Sequence, residues 1–356
     1  MKYPLHIIIR RKFSSGISKL FSLLSANKHK VQTYLNYDKD SLRSIVIIRP
    51  NYRIGNLLFL TPLINELTQH FPNVTIDIVV GNKNAAMPLA GMPTVNSIID
   101  IPRKLLKHPL QLIRYIRTTR KKEYDVAINI SSGSLSSQIV LSFINAKYKI
   151  GFRGEKTWAK YTHLQNREPH FKHMGLEPLD FLTFFNLPYP KKVPTLDIKL
   201  TEEEIARAKN DFLTLLQSNN IKNKNVITIF RGARFDKKID DKWWNMLHNE
   251  LIKNDNDTVI VEILSPDIPT SLNDKVLTYS NKNLRVLGAF LRLSNCFISG
   301  DTGPMHLAVA SGARVVALFK FDNSDTYGAL GESNETINIH TTDVQQVSKI
   351  ITEKYL

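Results

Sequence analysis

The stretch Ser299–Gly312 reads SGDTGPMHLAVASG. Just ahead of it, Asn295–Ser299 is a short apolar run bounded by polar residues, the pattern of a buried parallel strand. Gly300, Asp301, Thr302, Gly303 and Pro304 then follow in a row. Asp and Thr cap helix N-termini well, and Pro is favoured in a first helical turn. From Met305 the residues are small helix formers until Gly312 stops them. A second apolar run, Val315–Phe319, completes a βαβ unit. Its turn, rich in Gly and hydroxyls, leaves backbone N–H groups free at the helix N-terminus, where a phosphate can sit. The bland alternative is an ordinary capped βα loop.

Outward from this unit the chain keeps the same rhythm. Ser44–Arg49 (SIVIIR) is the first strand, followed by the turn Pro50–Asn56 (PNYRIGN) and a helix over about 57–70. Strands are predicted over 75–80, 97–101 and 124–130, a strand or turn over 148–151, and helices over 85–90, 109–122 and 135–143. After a less regular stretch, 152–200, with five prolines, a capped helix covers 201–217. Strands over 226–230 and 258–264 flank a helix over 242–253. Segment 283–292 leads into the opening motif, and 342–356 is a last helix. Alternating β and α at this spacing makes doubly wound parallel sheets. The expected class is α/β, with two Rossmann-like parallel-sheet domains facing an interdomain cleft. The expected division is 1–44 as a basic amphipathic N-terminal extension, 45–194 and 195–341 as the two domains, and 342–356 as a C-terminal helix.

The 356 residues suffice for two domains, and 42% hydrophobic with 22% charged residues is ordinary globular composition. Cys296 is the single cysteine. It permits no disulfide framework, which points to a reducing compartment. The formal charge of +16 favours anionic partners, namely phosphorylated substrates or anionic lipid. No nucleic-acid module is present, so nucleic acid is not an expected partner. No apolar run approaches the ~18 residues of a membrane span. Residues 1–44 carry nine Lys or Arg against two Asp. Within them Ile9, Phe13, Ile17, Leu20, Phe21 and Leu24 fall at helical spacing. Such a helix either lies on an anionic membrane or packs on the body of the protein.

Two further stretches carry candidate chemistry. Arg49–Leu58 runs a strand into a Gly-containing loop and a helix N-terminus, at the sheet edge where open α/β sheets bind ligands. Phe230–Trp244 (FRGARFDKKIDDKWW) clusters Arg231, Arg234, Lys237 and Lys238 after a strand, around Gly232. Four cations there suit a diphosphate clamp. Together with DTGPMHLA, these stretches resemble glycosyltransferase family 9, the lipopolysaccharide-core heptosyltransferases. The resemblance covers roughly Ile45 to the C-terminus.

That resemblance implies the GT-B fold and an inverting transfer of heptose, or a related sugar, from an ADP-sugar to a lipopolysaccharide core or lipid-linked glycan. It implies a cytoplasmic enzyme held peripherally at the inner membrane. Lys237 stands seven residues before Trp244, as the family's phosphate-contacting Lys does. Asp301 would hold donor-sugar hydroxyls, and Thr302 and Gly303 would contact the diphosphate. The donor site would comprise Arg231, Gly232, Arg234, Lys237, Asp301, Thr302, Gly303, Pro304 and His306. His306 either faces the cleft or packs between helix and sheet, and packing is the preferred reading. The acceptor side would comprise Arg53, Gly55, Asn56 and His163.

Asn56 departs from the family, which has Asp there as general base. Asn129 is a similar change at a strand end. An amide takes no proton at neutral pH, though it still hydrogen-bonds a sugar hydroxyl. The catalytic set is therefore read as Asn56, Lys237 and Asp301, with the base open among Asp301, His163, His170 and His173. Without a DxD-like pair, neither metal nor cofactor is expected. A catalytically silent nucleotide-sugar-binding protein and a protein heptosyltransferase remain the alternatives. The second is disfavoured by the single cysteine, because such relatives use cysteines to hold iron.

Overall fold

The computed structural model describes residues 32–101, 117, 120–131, 133–154, 157, 159–222 and 224–356. The amphipathic pattern of residues 9–24 lies outside these residues, as does nearly all of the helix expected at 109–122.

Two six-stranded sheets organise the described chain. The first contains β1 (Ser44–Arg49), β2 (Thr75–Val80), β3 (Val95–Asp100), β4 (Glu123–Asn129), β5 (Asn145–Phe152) and β6 (His163–Gln165). Their spatial order is β3-β2-β1-β4-β5-β6, and every pair is parallel. The second contains β7 (Asn225–Phe230), β8 (Thr258–Ile263), β9 (Leu277–Tyr279), β10 (Cys296–Gly300), β11 (Val315–Phe319) and β12 (Glu335–Asn338). Its order, β12-β11-β10-β7-β8-β9, repeats the first, again all parallel.

The strands form because both faces of each central strand are buried. Ile45, Val46, Ile47 and Ile48 are all fully enclosed. Ile45 and Ile47 join one apolar cluster, and Val46 and Ile48 another. Each such side chain contributes roughly 1.5–3 kcal/mol over an exposed one. The short strands β6, β9 and β12 were not expected. Each has only three or four residues and lies at or next to a sheet edge, too little for a periodic signal.

The helix expected over 57–70 is two helices, α1 (Ile54–Leu58) and α2 (Thr61–His70). Pro62 lies in the first turn of α2 and has no N–H to return to Leu58, so the ladder breaks there. Next come α3 (Lys83–Ala90) and α4 (Leu135–Phe143). The region expected to be irregular contains a 3-10 helix, Glu177–Phe185. Its Phe181 and Phe184 rings pack on Phe152, with centroids 4.6 and 5.4 Å away.

In the second unit, α5 (Glu202–Ser218) opens with a Thr201/Glu204 capping box. It is followed by α6 (Asp241–Asn254), α7 (Leu284–Arg292), α8 (Gly303–Ala310), α9 (Ser324–Tyr327) and α10 (Val344–Tyr355). Gly312, just after α8, has φ +79°, the left-handed conformation that a helix stop uses. α10 packs on α6 and shares its apolar cluster.

The chain crosses between units at Asp197–Ile198. The Asp197 N–H donates to Thr61 Oγ1 on α2 at 3.2 Å, and the Ile198 N–H donates to the Ala310 carbonyl at the end of α8 at 2.9 Å. Residues 32–44 sit on the first unit. Leu35 and Leu42 are buried, the Leu35 N–H donates to the Phe184 carbonyl at 2.9 Å, and Gln32 bridges to His163 beside β6.

Candidate active site

In each sheet the strand order reverses between two central strands, β1 and β4 in the first and β7 and β10 in the second. Ligands of open α/β sheets bind at that reversal, outside the carboxyl ends of the strands. The loops after β7 and β10 are those that hold Lys237 and Asp301. The loop after β1 leads into Gly55 and Asn56.

Lys237 ends a short 3-10 helix, Phe235–Lys237. Its Nζ forms an ion pair with the Asp301 carboxylate and lies 5.9 Å from the centre of the Tyr327 ring. Thr302 caps α8, its Oγ1 accepting the Met305 N–H at 3.4 Å and lying 3.0 Å from Ser299 Oγ. Pro304 occupies the first turn of α8. Asp301, Thr302, Gly303 and Pro304 are partly exposed, and Arg234 and Lys238 are exposed. The Lys320 ammonium donates to the Lys238 carbonyl at 3.0 Å. Lys320 and Tyr327 belong to this side of the site and were missed in the sequence. Lys320 directly follows β11, and the carboxyl end of a strand was the signal available.

α8 lies directly against α1. A Cβ on Gly303 would fall 2.1 Å from Ile54 Cγ2, so only Gly allows this approach. A Cβ on Gly55 would fall 2.6 Å from His306 Cδ2. The His306 ring is buried between the two units and meets Phe59 edge-on, with centroids 4.7 Å apart. Burial, then His173 and Lys237, lower its pKa to about 3, which holds the imidazole neutral. His306 therefore packs, though not between helix and sheet as preferred from the sequence, and its place in the donor set is corrected. The packing is across the interface between units.

Arg53 is exposed at the N-cap of α1. Asn56, half-buried, makes no side-chain hydrogen bond among the described residues. His173 joins the units by a 2.9 Å hydrogen bond from Nε2 to the Gly328 carbonyl, while its Nδ1 accepts the Gly175 N–H at 2.9 Å. Burial lowers its pKa as well.

Three further expected site residues serve the fold instead. Arg231 is buried, with Nε 2.5 Å from Glu262 Oε1 and Nη1 2.9 Å from Asp241 Oδ1, and Nη2 donates to the Thr270 carbonyl. Its guanidinium is occupied in holding β7, β8 and α6 together, which corrects its assignment to the clamp. Gly232 beside it is also structural: a Cβ there would fall 2.5 Å from the Phe230 ring. His163 is enclosed on β6, between Thr162 Oγ1 at 2.8 Å and Gln32 Oε1 at 3.1 Å. It stands three strands from β1, about 14 Å at normal strand spacing, so it is no acceptor contact in this arrangement. Asn129 is buried and satisfied, donating to Tyr161 OH at 2.7 Å and accepting the Ser131 N–H at 3.1 Å.

The site thus sets a cation, a carboxylate and a capped helix N-terminus beside the start of a second helix, α1. A sequence profile of glycosyltransferase family 9 (heptosyltransferase) matches residues 112–355. The chain belongs to glycosyltransferase family 9.

Among its relatives is the lipopolysaccharide core heptosyltransferase OpsX of Haemophilus influenzae, 22% identical over 327 residues, covering 85% of this chain and 86% of that protein. Lipopolysaccharide heptosyltransferase 3 of Escherichia coli K12 is 25% identical over 286 residues, covering 74% and 79%. The fold matches a family 9 glycosyl transferase from Veillonella parvula at TM-score 0.71 and 17% identity, over 90% of this chain and 92% of that one. It matches E. coli heptosyltransferase WaaC with ADP at TM-score 0.67 and 17% identity, over 87% and 98%. The fold is GT-B, and the protein is a family 9 glycosyltransferase.

Proposed function

We propose that this family 9 enzyme transfers a heptose, or a related sugar, from an ADP-sugar to a lipopolysaccharide core or lipid-linked glycan, with inversion and without a metal or other cofactor. The observation that carries the reading is the Lys237–Asp301 ion pair beside the Thr302-capped helix, at the strand-order reversal of the second sheet. The names of the relatives support the sugar and the acceptor class.

Inverting transfer has three needs. The acceptor hydroxyl loses its proton, its oxygen attacks the donor carbon opposite the leaving group, and the departing diphosphate is neutralised. Lys237, with Arg234, Lys238 and Lys320 nearby, supplies the last. Asp301 accepts hydrogen bonds from donor hydroxyls once the diphosphate draws on Lys237. Asn56 and Arg53 face the acceptor from α1. Peripheral attachment to an anionic inner-membrane surface on the cytoplasmic side would bring the enzyme to a lipid-linked acceptor. The +16 charge supports this. No helix among the described residues is long and apolar enough to cross a membrane.

Thermal shifts with ADP, UDP and GDP test the donor. A ligand at 100 times its Kd stabilises the native state by about 2.7 kcal/mol. ADP should give the largest shift, and a larger one with UDP or GDP would overturn the adenine preference. A second reading, a silent nucleotide-sugar binder, is favoured by the amide at Asn56 alone. It predicts the ADP shift with no transfer to any acceptor.

A further inference from the structure

Sugar transfer to a hydroxyl needs a group that takes the hydroxyl proton, and at the turn after β1 the chain presents the amide Asn56. Most other titratable groups around the cleft are committed. Asp301 is ion-paired with Lys237. Both ring nitrogens of His173 are hydrogen-bonded. His306 is buried between the two units against Gly55 and Phe59. His163 is enclosed at the far edge of the sheet. His170 is exposed and stacks on Tyr189, with centroids 4.0 Å apart.

Glu177 is ion-paired too, but it keeps one carboxylate oxygen without a partner. Its N–H donates to the His173 carbonyl at 3.2 Å, one turn from the ring that meets Phe59 at 5.9 Å. Phe59, the C-cap of α1, follows Asn56 by three residues. Glu177 Oε1 is held by Arg167 Nη1 at 2.5 Å. Its other oxygen, Oε2, is buried with no hydrogen-bond partner.

Arg49 completes the arrangement. It ends β1 at the strand-order reversal and is 6% exposed, and its Nε is likewise buried without a partner. Burial lowers its pKa to about 10, with Glu177 raising it and Arg167 lowering it as smaller contributions. Asp180 backs the cluster, 2% exposed, with Oδ2 3.6 Å from Arg167 Nε. Its other oxygen accepts from Tyr189 OH at 3.2 Å and from the His170 N–H at 3.4 Å. Glu177 Oε2 and Asp180 Oδ2 are thus unpartnered acceptors on either side of Arg167, Glu177 being the partly exposed residue of the two, and Arg49 Nε is an unpartnered donor at the carboxyl end of β1. A hydroxyl is the group that donates to such an acceptor and accepts from such a donor.

We propose that Glu177 takes the proton of the acceptor sugar's hydroxyl and that Arg49 is the positioning residue that orients it. The inference rests on the glycosyltransferase reading above. The hydroxyl O–H breaks and its proton goes to Glu177 Oε2. The freed oxygen bonds to the donor's anomeric carbon, and the bond from that carbon to the diphosphate oxygen breaks. The leaving nucleoside diphosphate keeps that electron pair, beside Lys237.

The test uses the full chain, ADP-heptose as donor and a heptose-deficient lipopolysaccharide core as acceptor, reading kcat, acceptor KM and the thermal shift with ADP. Glu177→Gln should lower kcat about 100-fold or more and leave the ADP shift unchanged. Glu177→Gln combined with Asn56→Asp should regain at least tenfold of that loss, because a carboxylate is restored on the facing helix. Glu177→Asp, which keeps the charge against Arg167, guards against misfolding and should lower kcat at least tenfold with a cooperative melt. Arg49→Gln should raise the acceptor KM more than it lowers kcat. A Glu177→Gln kcat within threefold of wild type, an Asp variant with unchanged kcat, or a double variant with no recovery overturns the assignment of Glu177 alone. A wild type that transfers nothing to the core, and melts no differently with ADP, overturns the glycosyltransferase reading beneath it.

Discussion

The imidazole of His306 lies between Gly55 and Phe59, closed off from water by both units. In the unfolded chain it titrates at its ordinary value of 6.5, but in the fold only near about 3. Between those values the unfolded state binds the extra proton, so stability rises with pH there. The contribution is fully present above pH 6.5 and is lost as pH falls toward 3. His173 adds in the same direction. We therefore expect the melting temperature to drop on acidification from pH 7 to 4, and His306→Phe to flatten that slope. An identical slope in the variant would show that other groups set it. Asp301 and Thr302 were singled out in the sequence because they follow a strand end, and Lys237 because it stands seven residues before Trp244, as the family's Lys does. The role of Arg231 was not legible there, because its partner Glu262 is 31 residues away and only the pairing of β7 with β8 brings them together. His163 and Glu177 were hidden for a similar reason, in a stretch whose polar and Pro-rich composition masked both β6 and the 3-10 helix.

At the scale of elements, the site depends on how closely α8 approaches α1. Gly303 sits where a methyl group would overlap Ile54 Cγ2 at 2.1 Å. Gly303→Ala should cost about 1–3 kcal/mol, the usual range for overpacking. Combining it with Ile54→Ala should recover part of that loss, since contacting residues couple. A strictly additive double variant would mean that the helices simply move apart. The central strands were readable because burial of both faces writes continuous apolar runs such as SIVIIR and VITIF. The break between α1 and α2 was written in Pro62 but misjudged, because a proline near a helix start is tolerated as well as disruptive.

At the scale of the molecule, Arg285 holds the two units in register. From α7 its Nη1 reaches the Pro88 and Ile198 carbonyls at 2.6 and 2.8 Å, and its Nε pairs with Glu204 at 2.5 Å. That fixed relation keeps Gly303, two residues after Asp301, against Ile54 of α1. Residues 1–31 carry seven Lys or Arg and no Asp or Glu, a charge that anionic lipid attracts. Removing them should abolish salt-sensitive binding to anionic vesicles while the cooperative melt persists. Vesicle binding that survives the deletion would place the membrane contact on the body instead. The central claim is that Lys237 neutralises a departing nucleoside diphosphate. It is met most directly by following acceptor-dependent ADP release from ADP-heptose in wild type and Lys237→Ala at equal fold stability. We predict stoichiometric ADP and glycosylated core from the wild type, and release slowed about 100-fold in the variant. Equal release by both proteins, or none from the wild type, would contradict it.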